Sequence, residues 1–104
     1  MKEELIRTAL LLGNDAVDRL SKSKAAVFGV GGVGGYVVEA LARSGVGSFV
    51  LIDNDTVAAS NINRQIIATV DVIGRNKTEV MRDRILSINP QANIDIYNIF
   101  YLPE

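Results

Sequence analysis

The chain contains neither cysteine nor histidine among its 104 residues. The first absence excludes disulfides, a thiolate nucleophile and a cysteine-ligated zinc site within it. The second removes the commonest general base and metal ligand. Any chemistry must therefore rest on Asp, Glu, Lys, Arg, Asn and backbone amides. Charge of one sign is also lacking: 11 basic residues face 12 acidic ones, for a net charge of −1. With no large basic block, nothing argues for a broad polyanion-binding surface. No apolar run approaches the ~18 residues of a membrane span, and Met1-Lys2-Glu3-Glu4 lacks the apolar core of a secretory signal. The expectation is a cytoplasmic protein without repeats, low-complexity tracts or an interior linker.

What is present is ordinary globular composition, 48% hydrophobic and 22% charged, enough for one domain at most. Its most informative stretch is Lys24-Ala25-Ala26-Val27-Phe28-Gly29-Val30-Gly31-Gly32-Val33-Gly34-Gly35. An apolar strand, expected to be covered on both faces, runs into a glycine-rich turn whose backbone can approach phosphate oxygens closely. The following helix offers free N–H groups and the positive end of its dipole to the anion. Gly29, Gly31 and Gly34 supply the G-x-G-x-x-G spacing, with Gly32 beside them. A second strand ends in Asp53, near the roughly 20-residue offset at which an acid meets a ribose hydroxyl in dinucleotide folds. Strand, turn, helix, strand and acid agree in order and distance, which favours nucleotide binding over a purely structural turn.

The periodicities predict helices over 4–12 and 15–20, a strand over 25–28 and a helix over 32–43 whose Val33, Tyr36, Val37, Ala40 and Leu41 recur at helical spacing. A strand over 48–52, a short irregular helix opened by the polar residues 60–65, a helix over 74–87 and a strand over 93–97 complete the series. Asn89-Pro90 stops the last helix. Val80, Met81, Ile85 and Leu86 share one face of it, with Lys77, Glu79, Arg82 and Asp83 largely on others. Tyr36, Tyr97, Phe100 and Tyr101 are assigned to the core or a covered edge. The fold class is α/β: a Rossmann-like, doubly wound, mostly parallel sheet, with N-terminal helices over 1–23 and the Rossmann-like half over 24–104. In such a sheet the glycine-turn strand is central, whereas here it would be an edge. The expectation is thus the N-terminal ATP-binding part of a longer protein, or a chain needing a partner at that edge.

A dehydrogenase needs little beyond the glycine turn and the ribose acid. This chain adds Ser60, Asn61, Asn63 and Arg64, then Lys77. Two cations and several amides after the acid suit a triphosphate, whose charge must be neutralised at separated oxygens. Taken singly, each has a plainer explanation. Asp53 could cap the loop after its strand, Asn61 and Asn63 are ordinary turn residues, and Arg64 and Lys77 would be solvated charges. Asp55 is read as supporting the loop.

Four segments together carry a family resemblance: Gly29-Val30-Gly31-Gly32-Val33-Gly34, Leu51-Ile52-Asp53-Asn54-Asp55-Thr56-Val57, Ser60-Asn61-Ile62-Asn63-Arg64-Gln65 and Gly74-Arg75-Asn76-Lys77-Thr78-Glu79-Val80. They resemble the successive ATP-binding motifs of the ThiF/MoeB/HesA superfamily, relatives of the ubiquitin-activating enzyme that adenylate a carboxylate. Within it, Arg7-Thr8-Ala9-Leu10-Leu11-Leu12-Gly13, Val38-Glu39-Ala40-Leu41-Ala42-Arg43-Ser44-Gly45-Val46-Gly47 and Asn61-Ile62-Asn63-Arg64-Gln65-Ile66 are most similar to the tRNA threonylcarbamoyladenosine dehydratase family.

The resemblance implies that Gly32 and its neighbours approach the phosphates and that Asp53 holds the ribose. It implies phosphate contacts from Asn61, Arg64 and Lys77, the last two stabilising charge at the α-phosphorus. Arg7 resembles an arginine contributed across a homodimer interface. ATP is the implied cofactor, with Mg2+ held by an aspartate expected beyond residue 104, and a modified tRNA is the implied substrate. Adenylation of a ubiquitin-like sulfur-carrier protein, with a carrier or sulfur-transfer partner, is the neighbouring alternative. A nicotinamide-dependent dehydrogenase and a non-catalytic nucleotide-binding domain are the more distant ones.

Overall fold

The computed structural model describes residues 14–99. The helix expected over 4–12, with Arg7 in it, and the aromatics Phe100 and Tyr101 lie outside the described residues. Helix α1, Asn14–Ser21, leads into strand β1, Lys24–Phe28. Helix α2, Gly32–Arg43, then carries the chain to β2, Ser48–Ile52. Two single 3-10 turns, Ala59–Asn61 and Val70–Val72, precede helix α3, Lys77–Ile88, and strand β3, Asn93–Tyr97.

The strands pair in parallel in the order β1-β2-β3. Each crossover between neighbouring parallel strands carries one helix, as parallel connection requires. Helix α2 packs on β1 and α3 packs on β2 and β3, while the two helices also contact each other. One face of the sheet is therefore roofed, and the core forms beneath that roof: Phe49, Leu51, Met81, Ile85 and Val38 are fully buried. Val27, Leu51 and Ile96 stand in register as one row of that face. The next row, Phe28, Ile52 and Tyr97, points the other way, with Phe28 and Tyr97 exposed on either side of a buried Ile52.

This arrangement corrects three expectations. Strand β1 is not covered on both faces: Lys24, Ala26 and Phe28 are exposed and only Ala25 and Val27 turn toward the core, because among the described residues β1 is an edge and one sheet face lacks a layer. Tyr36 and Tyr97 are exposed rather than packed. Helix α2 buries Gly35, Val38, Glu39 and Ala42. At 3.6 residues per turn that stripe lies on the opposite side from Val33, Tyr36 and Val37, which stay exposed. Small residues at 35 and 42 let the helix lie close to the sheet, and this outweighs the hydrophobicity of the other side.

Helix α3 begins at Lys77 rather than at residue 74. The chain turns at Gly74, which holds a positive φ of 90°, and Asn76 is extended and forms an isolated antiparallel bridge with Thr56, so helical geometry starts only at Lys77. Val80, Met81 and Ile85 are buried as expected, and Leu86 is half-buried. No helix among the described residues is long and apolar enough to cross a membrane.

Candidate nucleotide site at the carboxyl edge of the sheet

All three strands run the same way, so their carboxyl ends share one edge, and the loops leaving them converge there. The residue after β1, Gly29, donates its amide to Ile52 O at 2.8 Å, and Asp53, following β2, donates to Tyr97 O at 3.1 Å. The parallel ladder thus continues into the loops and fixes their starting points.

Gly31 is the N-cap of α2, with φ −85° and ψ 172°, and no side chain caps the helix. The first-turn amides therefore have no intrahelical acceptor and remain donors for something else. Gly32 adopts φ +53°, with open space where a Cβ would stand. Gly34 serves a different need: a Cβ there would sit 1.8 Å from Gly29 O, so its lack of a side chain lets helix and strand end meet. The glycine spacing seen in the sequence divides between an open approach and a packing contact.

Asp53 is 7% exposed. Its Oδ2 accepts the Val30 amide at 2.9 Å and its Oδ1 accepts the Asp55 amide at 2.9 Å. The acid therefore does cap its own loop, and it also ties the end of β2 to the glycine turn. Each carboxylate oxygen has a second lone pair, so these bonds leave acceptor capacity for a hydroxyl.

Asp55 supports the loop as expected and connects two parts of the site. Its carbonyl accepts the Lys77 amide at 3.0 Å, and its carboxylate lies 3.8 Å from Lys77 Nζ. Lys77 is not a solvated surface charge: only 6% of it is exposed, at the first turn of α3, beside an acid that is itself open to solvent.

Asn61 is buried as well, and its Oδ1 accepts the Ala58 amide at 2.8 Å, closing the 3-10 turn that carries it. Its carbonyl accepts the amides of Arg64 and Gln65 at 3.1 and 2.9 Å, which curls the next residues into a tight turn. Arg64 stays exposed, with Nη1 donating to Ser60 O at 2.8 Å and to Asn63 Oδ1 at 3.3 Å. Ser60 and Asn63 are likewise exposed and steady that guanidinium. The structure thus gathers Gly31, Gly32, Asp53 and Lys77 at the sheet edge, whereas Arg64 is held on its own exposed turn.

Two participants escaped the sequence reading. The Val30 amide has no side-chain signature. Gln65 ends the polar run 60–65, yet only the structure shows its carboxamide pressed on the glycine turn, 2.6 Å from where a Gly31 Cβ would be.

The ThiF family matches residues 4–101. Over all 104 residues the chain is 41% identical to a tRNA threonylcarbamoyladenosine dehydratase of Bacillus subtilis, covering 41% of that protein. It is 49% identical over 90 residues to the protein of that name from Haemophilus influenzae, covering 86% of this chain and 34% of that one. Among solved structures, the Escherichia coli tRNA N6-threonylcarbamoyladenosine dehydratase in complex with ATP superposes with a TM-score of 0.91 at 42% identity, over 94% of this chain and 40% of that one. The chain spans about a third to two fifths of the length of these relatives.

Proposed function

The chain belongs to the ThiF family, and from that premise we propose that it forms the ATP-binding part of an enzyme that adenylates a carboxylate, with threonylcarbamoyladenosine in tRNA as substrate. The observation that carries this reading is the bond from Val30 to Asp53, which sets the strand-end acid against an uncapped helix N-terminus, with buried Lys77 tied to the same loop. A solved relative of 42% identity holds ATP.

In the proposed site the amides of the Gly31–Gly34 turn receive the phosphates and Asp53 accepts a ribose hydroxyl. Asn61, Arg64 and Lys77 neutralise the triphosphate, with Ser60 and Asn63 orienting Arg64. A substrate carboxylate oxygen bonds to the α-phosphorus and pyrophosphate leaves, its growing charge met by Arg64 and Lys77. An internal nucleophile of the threonylcarbamoyl group then attacks the activated acyl carbon. The nucleophile gives up its proton and AMP departs with the former carboxylate oxygen, so ATP is cleaved and the threonylcarbamoyl group closes into a ring with net loss of water. No thiol takes part in this sequence.

Magnesium is implied by the resemblance, but the described residues do not fit a site for it of their own. Asp55 faces Lys77, and no group of three ligating side chains gathers among the described residues. The proposal includes a cytoplasmic homodimer in which Arg7 of each copy reaches the other's triphosphate.

Calorimetric titration of the whole protein with ATP and with NAD tests the nucleotide, and release of AMP on adding threonylcarbamoylated tRNA tests the substrate. Tighter binding of NAD overturns adenylation. AMP release driven by a ubiquitin-like carrier protein, and not by the tRNA, replaces the substrate.

A further inference from the structure

The carboxamide of Gln65 lies against Gly31: a Cβ on that glycine would meet Oε1 at 2.6 Å, Cδ at 2.9 Å and Nε2 at 3.1 Å. Gly31 has φ −85°, which any residue can adopt, so a side chain there would meet no backbone strain and would contend only with the movable end of Gln65. Gln65 Oε1 is buried without a hydrogen-bond partner among the described residues. A buried acceptor left unsatisfied costs stability, and native structures rarely tolerate one without a compensating use. The use must be local. Gln65 belongs to the turn that carries Asn61 and Arg64, and its carboxamide rests on the N-cap of α2, whose first-turn amides await an acceptor.

We propose that Gln65 is a specificity-determining residue of the nucleotide site, holding its carboxamide against Gly31 so that a bound polyphosphate completes its hydrogen bonding. Phosphate oxygens only accept. Rotation of the amide by half a turn replaces Oε1 by Nε2, and the buried end then donates to the ligand. The unliganded protein carries an unsatisfied polar atom, and the liganded one does not. The inference rests on the ATP-binding reading above and adds to it a residue that links the glycine turn to the Asn61–Arg64 turn.

The sign of two measurements separates this role from simple packing. Gln65→Met keeps the length of the side chain and removes its polar end. In the whole protein it should raise the unliganded melting midpoint by roughly 2–4 °C, because an orphaned buried group is gone. The same variant should weaken ATP and inorganic pyrophosphate by roughly 10- to 100-fold, the range of one hydrogen bond to a charged acceptor, and leave adenosine affinity unchanged. Gln65→Glu should weaken both phosphates at least as much, since it brings a carboxylate to the anion.

A Met variant with a lowered midpoint, or with unchanged affinity for ATP and pyrophosphate, makes Gln65 a packing residue and overturns the inference. Wild-type protein that binds neither ATP nor pyrophosphate overturns the nucleotide reading itself, an outcome visible before any variant is made.

Discussion

Asp53 accepts the amide hydrogen of Val30 through Oδ2 across 2.9 Å, so the acid at the end of β2 is bonded to the turn it faces. Its other oxygen holds the Asp55 amide. The proposed ribose ligand is thus also the brace of the phosphate loop, and its two roles make one prediction. Asp53→Asn retains one acceptor oxygen for two amides and leaves a buried N–H unpaired, at about 1–3 kcal/mol. The thermal midpoint should fall by several degrees, and ATP affinity by roughly 10-fold or more, in the same variant. Loss of affinity at an unchanged midpoint would show that the brace carries no stability.

The glycines of the turn should respond unequally to alanine. At Gly34 the new Cβ would lie 1.8 Å from the Gly29 carbonyl oxygen, a backbone atom that cannot step aside. Gly34→Ala should therefore prevent normal folding. Gly32 has open space around it and only its φ of +53° to lose, a strain of about 1–2 kcal/mol for an L-residue. Gly32→Ala should fold, melt several degrees lower and bind ATP less well. Circular dichroism melts of both variants decide the point, and equal stability would contradict the division of labour between them.

These contrasts mark where sequence reading works. β2 and β3 are expected at the limits observed, Ser48–Ile52 and Asn93–Tyr97, because apolar residues alternate or cluster between clear glycine and asparagine signals. The α/β order and Asp53 at a strand end follow from the same signals. The buried side of α2 does not. Its apolar side chains Val33, Tyr36 and Val37 form the conspicuous series, yet close packing chooses Gly35, Val38 and Ala42. Small size carries no hydrophobic signal. Lys77 was legible as a charge and not as a buried one, since its burial depends on the bridge from Thr56 to Asn76 that delays the start of α3. Gln65 closes the polar segment 60–65, but its contact with Gly31 joins residues far apart in the chain that no periodicity connects.

An ion-paired cluster joins the two roof helices. Arg84 of α3 donates from Nε and Nη2 to the two oxygens of Glu39 on α2, at 2.7 and 3.0 Å, and Arg43 adds a contact at 3.4 Å. The hydrogen bonds from Arg84, chief among these effects, hold the Glu39 carboxyl below its ordinary value against the opposing effect of burial. A carboxyl depressed on folding contributes stability above its unfolded value near 4.5, and that stability is lost as pH falls through the lower folded value. Glu39→Gln should flatten the acid limb of the stability curve below about pH 4.5. Arg84→Ala should cost about 1–3 kcal/mol at neutral pH, less than a wholly buried pair because the Arg84 side chain is 36% exposed. Urea midpoints between acid and neutral pH test both, and a parallel acid limb in the Gln variant would remove Glu39 as its source.

Arg64 and Lys77 should affect turnover alike and stability differently. Arg64 is exposed and bonded only within its own turn in the contacts described, so Arg64→Ala should leave the melting midpoint nearly unchanged. Lys77 is buried beside Asp55, and Lys77→Met keeps its apolar stem while removing the ammonium from the 3.8 Å pair. Either variant should slow substrate-dependent conversion of ATP to AMP by ~100-fold or more, the scale of losing one preorganised charge-stabilising group as pyrophosphate departs. ATP affinity should change much less than turnover, because the charge to be stabilised grows during the reaction. Single-turnover rates and ATP titrations on both proteins distinguish this from a binding defect. Equal losses in affinity and rate would make the two cations ground-state phosphate ligands, and wild-type rates in both would return them to structural roles.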